Sequence, residues 1–276
     1  MPDILLGLIG DNIAASRAPA FHELAGLLAG LDVRYERLVP HEIGVDFDRV
    51  LADCPARGYR GVNITYPYKE RAAAKVRVDD PLIRRLGAVN TVIFDAEGPR
   101  GANTDHTGFV AAYLHIRGAA APGPVCMIGA GGVGKAVGFG LLQLGLREIR
   151  VVERDLAKAE ALADSLRSAE PGLAVVVTGD AVAGAAGASG LINCTPVGMV
   201  GYGGTPLPQA AMRGATWAFD AVYTPLETVF LKDAAAEGLA IIPGYELFFH
   251  QGVDAWALFT GRPLDKSALR AGLAKL

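Results

Sequence analysis

Cysteine is scarce in this chain, and the three that occur, Cys54, Cys126 and Cys194, lie far apart. An odd, scattered set supports neither a disulfide framework nor a zinc site, whose ligands come in close pairs. Cys126 falls inside an apolar run and Cys194 at the end of another, so both read as small core residues. The histidines His22, His41, His106, His115 and His250 are equally dispersed and lack metal-ligand spacing, so no metal is expected. Charge of one sign is also missing. The 26 Lys and Arg against 29 Asp and Glu leave a formal net charge of −3, which offers no surface suited to nucleic acid or membrane. No apolar run approaches the roughly 20 residues a membrane span needs. The opening MPDILLGLIG has no basic region and is broken at Gly7, so it does not read as a secretory signal, and a cytoplasmic location is expected. What is present is a chain of 276 residues, 51% apolar and 20% charged, long enough for two modest α/β domains.

The most organised stretch is Val125 to Asp155. Val125 to Ile128 is short and apolar, as a buried strand is. Gly129-Ala130-Gly131-Gly132-Val133-Gly134 follows, then a helical run with apolar residues at Val133, Val137, Leu141 and Leu144. A second apolar run, Ile149 to Val152, is closed by Glu153. In this order the glycines have separate uses: the first makes a tight turn, the second admits a pyrophosphate, and the third lets helix and strand pack closely. The free N–H groups of the helix N-terminus suit phosphate. A glycine pattern alone also serves ordinary βα turns. The flanking strand and helix, with an acid about 20 residues on, make this one a dinucleotide site.

The rest of the chain alternates. Strands are expected at 4–9, 33–39, 62–65, 88–94, 173–177, 191–194, 217–222 and 239–242, with helices between them, which implies parallel sheets with right-handed crossovers. The linker GAAAPGP, 118–124, separates two domains: 1–117 with 246–276, and 118–245. The glycine-rich loop 201–204 is a candidate flap. In the first domain, Pro67 is placed to start a helix, with Lys69 in its first turn. A cation there works against the helix macrodipole by about 0.3–1 kcal/mol, which suits a lysine that must act as a base. An exposed lysine compensated by Glu70 fits the same residues. Asp105 precedes the helical run Phe109 to Ile116, where an N-cap is the ordinary use of aspartate.

Several separated motifs, in order along nearly the whole chain, resemble the shikimate/quinate dehydrogenase family. They are the Ser16 loop with Pro19 and His22, Gly61-Val62-Asn63-Ile64-Thr65 with Pro67 and Lys69, Ala88-Val89-Asn90-Thr91, and Asn103-Thr104-Asp105. Beyond the glycine turn come Asn193-Cys194-Thr195-Pro196-Val197-Gly198-Met199, Asp220-Ala221-Val222-Tyr223 with Pro225-Leu226-Glu227, and His250-Gln251. The resemblance implies an N-terminal α/β substrate domain, completed by the C-terminal helices, and a Rossmann domain facing it across a cleft. It implies Lys69 and Asp105 as the catalytic pair, with Lys69 taking a hydroxyl proton while hydride passes to a nicotinamide. It puts Ser16, Thr65, Asn90, Tyr223 and Gln251 on the carboxylate and hydroxyls of a cyclic hydroxy acid. It assigns Gly129, Ala130, Gly131, Gly132, Val133, Gly134, Glu153, Arg154, Thr195, Val222 and Gly244 to the dinucleotide. Such a protein is a monomer or homodimer.

Three departures refine this. The second hydroxyl residue of the family's carboxylate pattern is Ala18 here, a loss of about 1.5–3 kcal/mol if nothing replaces the bond. Tyr68 stands where the biosynthetic members usually have histidine, which resembles the NAD-linked quinate/shikimate branch, as does the run 16–23. Glu153-Arg154-Asp155 replaces the Asn-Arg-Thr of NADP-using members, and an acid there bonds ribose hydroxyls and repels a 2′-phosphate. NAD is therefore expected, NADP less so. The expected activity is hydride transfer between NAD and a ring hydroxyl of quinate or shikimate. An aminoshikimate-like or other cyclic hydroxy acid stays open because of Ala18, and a non-catalytic sensor of these metabolites is the reading of another class.

Overall fold

The computed structural model describes residues 2–276. They form two compact units, one running to Thr104 and resuming over Gln251–Leu276, the other Asp105–His250.

The first unit begins with β1 (Ile4–Ile9), α1 (Ala18–Leu28), β2 (Val33–Leu38), α2 (Pro40–Ile43) and α3 (Phe47–Asp53). It continues with β3 (Gly61–Ile64), α4 (Lys69–Ala73), α5 (Pro81–Leu86), β4 (Thr91–Asp95) and β5 (Gly98–Ala102). Local chemistry sets these ends. Asp46 caps α3 by accepting the Arg49 N–H, and Asp80 caps α5, whose first residue is proline and whose end is the left-handed Gly87. The sheet order is β2-β1-β3-β4-β5. β1 pairs in parallel with β2 and β3, but β4 is antiparallel to both β3 and β5. The all-parallel expectation therefore fails here. β4 and β5 are joined by two residues, too few for a crossover. β5 itself, GPRGA, carries no strand propensity and is held by its pairing to β4. The strand expected from residue 88 starts at Thr91, which leaves Asn90 just ahead of the ladder.

In the second unit α6 (Thr104–Arg117) leads to β6 (Val125–Ile128), α7 (Gly132–Gln143), β7 (Glu148–Val152), α8 (Leu156–Ala169) and β8 (Ala174–Thr178). Then come α9 (Ala181–Ala185), β9 (Gly190–Asn193), a 3-10 turn at Gln209–Met212, β10 (Trp217–Asp220), α10 (Val229–Ala236) and β11 (Ala240–Ile242). Helix α11 (Gly244–Thr260) carries the chain back into the first unit, which α12 (Lys266–Leu273) ends. The sheet is parallel throughout, in the order β11-β10-β9-β6-β7-β8. Strand order reverses between β6 and β9, the switch point at which doubly wound sheets bind ligands.

The division between units falls ahead of the 118–124 linker. Phe109 of α6 packs edge-on against Phe219 at 5.0 Å, and Tyr113 against Trp217 at 5.2 Å. The linker is tied down as well, with Tyr113 Oη donating to the Ala120 carbonyl and Trp217 Nε1 to the Pro122 carbonyl, both at 2.9 Å. Burial pushes the Cys54 and Cys126 thiols up to about 12, as befits core residues, while Cys194 is only half-buried. Among the described residues no helix is long and apolar enough to cross a membrane.

Candidate functional site

In the first unit the predicted residues gather where β1 and β3 end. Ser16 sits in the loop after β1, its Oγ accepting the Ala18 N–H at 3.3 Å and its carbonyl accepting from Arg37 at 2.8 Å. This loop is bound to the segment after β3. Thr65 N–H donates to the Ile9 carbonyl and Asp11 N–H to the Tyr66 carbonyl, each at 3.0 Å. Tyr68 adds a hydroxyl bond to Asp11 Oδ1 at 3.0 Å and stacks on Phe47. Gly10 is needed at this junction because a Cβ on it would lie 2.3 Å from the Thr65 methyl. Lys69 is the first residue of α4, two positions later than a helix opened by Pro67. Its carbonyl accepts the Val89 N–H at 3.0 Å, which ties Lys69 to the Asn90 segment.

Asn90 and Gln251, 161 residues apart, meet directly, with Asn90 Nδ2 lying 3.4 Å from Gln251 Oε1. Thr104 joins them, its N–H donating to Asn90 Oδ1 at 2.7 Å and its hydroxyl reaching Gln251 Oε1 at 3.3 Å. Asn90, Thr91 and Thr104 are all buried, so these bonds answer a desolvation cost that water cannot relieve. The two threonines carry no role in the sequence reading. Their signal was the repeated Asn-Thr pair, Asn90-Thr91 and Asn103-Thr104.

Asp105 and Tyr223 belong to the second unit. Because α6 begins at Thr104, Asp105 is buried in its first turn rather than standing outside as an N-cap. A carboxylate in a first turn complements the helix dipole. Tyr223 stacks on Phe248 at 4.7 Å.

The glycine turn has the geometry its spacing implies. Gly129 takes φ +105°, which only glycine adopts freely, and a Cβ there would meet the Cys194 backbone at 2.8 Å. Gly131 is open, with only the Lys158 ammonium, 3.7 Å away, near its missing side chain. Gly134 cannot change, since a Cβ would lie 2.1 Å from the Gly129 carbonyl oxygen. Gly132 and Val133 open the helix α7 with their N–H groups toward the turn. The contact between Gly129 and Cys194–Thr195 joins the ends of β6 and β9, so Thr195 lies at the switch point with the turn. Glu153 closes this half from β7. One carboxylate oxygen accepts the Ala130 N–H at 3.1 Å, and the other accepts the N–H groups of Arg154 at 2.8 Å and Asp155 at 3.4 Å. The Arg154 residue is exposed, and Asp155 caps α8.

Val222 is held by Asp220, a fully buried carboxylate at the end of β10. Asp220 Oδ1 accepts Asn193 Nδ2 and the Val222 N–H, both at 2.9 Å, and Oδ2 accepts the Thr228 hydroxyl at 2.6 Å. Asn193 in turn accepts the Thr195 N–H at 3.0 Å and hydroxyl at 2.7 Å. A Cβ on Gly244 would lie 2.4 Å from the Val222 carbonyl oxygen, so close approach explains that glycine. The candidate flap is tied to the same region, Val200 N–H donating to the Thr224 carbonyl at 3.1 Å. Burial pushes Asp220 up from 3.8 to about 6, against the three hydrogen bonds that favour its charge. Since the folded state then holds a proton that the unfolded chain gives up, stability falls as pH rises from about 4 to about 6 and is level above. Asp220→Asn is expected to remove this fall, gaining up to about 3 kcal/mol relative to the wild type between pH 4 and 7. Thermal unfolding of both proteins across that range checks it, and parallel pH profiles would exclude the assignment.

Among the described residues no group of three His, Cys, Asp or Glu is arranged to hold a metal ion.

Residues 8–92 match the model of the shikimate dehydrogenase substrate binding domain. The chain is 38% identical to the quinate/shikimate dehydrogenase (NAD(+)) of Corynebacterium efficiens, over 99% of this chain and 98% of that one. Its fold is similar to the quinate dehydrogenase of Corynebacterium glutamicum in complex with NAD, with a TM-score of 0.89, 38% identity and 99% of each chain covered. It is also similar to the shikimate 5-dehydrogenase of Thermus thermophilus in complex with NADP(H) and shikimate, with a TM-score of 0.84, 35% identity and 99% of each chain covered.

Proposed function

Since the chain belongs to the shikimate/quinate dehydrogenase family of NAD(P)-dependent oxidoreductases, we propose that it uses NAD to oxidise a ring hydroxyl of quinate or shikimate, and the reverse. The products of oxidation are 3-dehydroquinate and 3-dehydroshikimate. Membership of an enzyme family sets the sensor reading aside.

The observation that carries the cofactor choice is the Glu153 carboxylate, held by the Ala130 N–H of the glycine turn and by the N–H groups of Arg154 and Asp155. A ribose with free hydroxyls can donate to that carboxylate, whereas a 2′-phosphate would meet a fixed negative charge. The turn itself fits a dinucleotide, being open at Gly131 and closed at Gly134. Gly129 to Gly134 would hold the pyrophosphate, Glu153 the adenosine ribose, and Thr195, Val222 and Gly244 the nicotinamide end. Arg154 is exposed and flanked by acids, which favours a solvated side chain over a phosphate clamp.

Bound there, the oxidised dinucleotide supplies the acceptor for the hydride leaving the carbinol carbon. Lys69, as the free amine, takes the hydroxyl proton, and the O–H electron pair becomes the second carbon–oxygen bond. Asp105 would complete the pair by holding and orienting the lysine, as the family resemblance implies. Ser16 faces the substrate carboxylate, while Thr65, Asn90, Tyr223 and Gln251 meet its hydroxyls. A ring acid rich in hydroxyls needs such a set of uncharged hydrogen-bonding groups, and leaving any of them buried without a partner is costly.

Ala18 favours a second reading, a different cyclic hydroxy acid. It opens α1 with a methyl group where the family pattern carries a hydroxyl, and Ser16 Oγ is turned to the Ala18 N–H. Initial rates with quinate and shikimate, each with NAD and NADP, test both readings. Turnover of either acid with NAD and little with NADP is the expected result. Turnover chiefly with NADP would reverse the cofactor choice, and silence in all four assays would move the substrate to the second reading.

A further inference from the structure

The buried amides of the first unit form a hydrogen-bonded chain with one direction. The Thr104 N–H can only donate, so its 2.7 Å bond fixes the oxygen end of the Asn90 amide. Asn90 Nδ2 then points at Thr104 Oγ1, 3.0 Å away, and at Gln251 Oε1. An amide nitrogen donates as well, so it fixes Gln251 in turn, with Oε1 inward and Nε2 at the other end. The chain extends in the opposite direction to the edge strand β2. The Tyr35 hydroxyl donates to Asn63 Oδ1 at 2.9 Å, and Asn63 Nδ2 donates to Thr91 Oγ1 at 3.1 Å. Thr91, having accepted from Asn63, donates its own hydrogen to Asn90 Oδ1 at 3.0 Å. Every link from Tyr35 to Gln251 runs donor to acceptor in the same sense, and bonds so arranged polarise one another.

Burial removes the alternatives. Tyr35, Asn63, Asn90, Thr91 and Thr104 are each no more than 7% exposed, so water cannot satisfy a reversed amide. His22 reinforces the starting end. It stacks on Tyr35 with ring centroids 5.0 Å apart and is kept neutral by burial, which pushes it down to about 3.

We propose that this chain is a specificity device: through Asn63, Thr91, Thr104 and Asn90, whose two amide hydrogens are spent on Thr104 and Gln251, it turns Gln251 so that it meets the substrate through its amide N–H end. The substrate must then offer lone pairs at Gln251, as a ring hydroxyl does when its own hydrogen points elsewhere. An ammonium group, which only donates, is rejected there. This rests on the proposal that Gln251 contacts the substrate. Thr91 is wholly buried, so it is a positioning residue and touches no ligand.

Thr91→Val keeps the shape of the side chain and removes its hydroxyl. In ¹⁵N-labelled full-length protein the side-chain amide resonances of Asn90 and Gln251 are expected to move. The KM for the accepted acid is expected to rise about tenfold while the KM for the dinucleotide stays unchanged, and Thr91→Ser restores both. Tyr35→Phe removes the first donor and gives the same changes in smaller measure, which serves if the valine variant does not fold. Unmoved amide resonances overturn the proposal, as does a KM for the acid that stays constant while they move. Acid and dinucleotide KM rising together would reduce Thr91 to a packing residue and overturn it too. If the wild type turns over neither acid, the substrate reading fails, and the amide resonances still decide whether the chain orients Gln251.

Discussion

Lys69→Ala lowers kcat by about 10³-fold and leaves the KM for the ring acid within a few-fold of wild type. The split follows from what Lys69 is asked to do. A proton acceptor acts only as the O–H bond breaks, so its loss falls on the transition state rather than on binding. The fold should tolerate the change: Lys69 opens a five-residue helix, and the bond that ties it to the Asn90 segment is made by its backbone carbonyl, which alanine keeps. A steady-state comparison at matched pH, with thermal unfolding as a control, checks the result. Turnover within tenfold of wild type, at unchanged unfolding temperature, would remove Lys69 from the chemistry. Loss of activity accompanied by a large drop in unfolding temperature would point to a structural role instead.

The second large effect is a change of cofactor at Glu153. The Glu153→Gln variant separates charge from shape. A carboxylate accepts at both oxygens, so it can hold Ala130 N–H with one and Arg154 and Asp155 N–H with the other. An amide accepts at one end only, and its NH₂ must face a backbone donor on one side or the other. The glutamine variant therefore loses the fixed negative charge and half of the clasp together. Use of NAD is expected to fall about tenfold in kcat/KM, and use of NADP to rise about tenfold, because the fixed charge that repels a 2′-phosphate is gone. The ratio of the two kcat/KM values is the quantity to measure. A ratio that does not move would deny Glu153 any part in cofactor choice. A fall with both cofactors together would make it a structural clasp of the turn.

Some of this was legible in the chain because it depends on near neighbours. The three roles in Gly129-x-Gly131-x-x-Gly134 were readable because each concerns a turn, a helix start and a strand end within a few residues. The caps on α3, α5 and α8 have the same locality, aspartate ahead of a helical run. Other features depend on distant context. β5 has no strand signal and exists because β4 offers it a ladder. The start of α6 at Thr104 absorbed Asp105, which looked like a cap.

The site divides along the same line. Sequence alone determined the residue types: a glycine turn, an acid at the end of β7, a lysine at a helix start, and uncharged polar residues among apolar runs. Periodicity and turn chemistry carry that much, because backbone conformation responds to side chains a few positions away. Tertiary structure alone decided which way each amide is turned, and which buried groups hold it there. Asn90 and Gln251 are 161 residues apart, and the orientation of both follows from one backbone N–H at Thr104. Asp220 likewise gained its partners only when β9, β10 and the start of α10 came together. A buried polar group must find a partner, but which partner it finds is settled by packing between distant segments, and no local pattern encodes that.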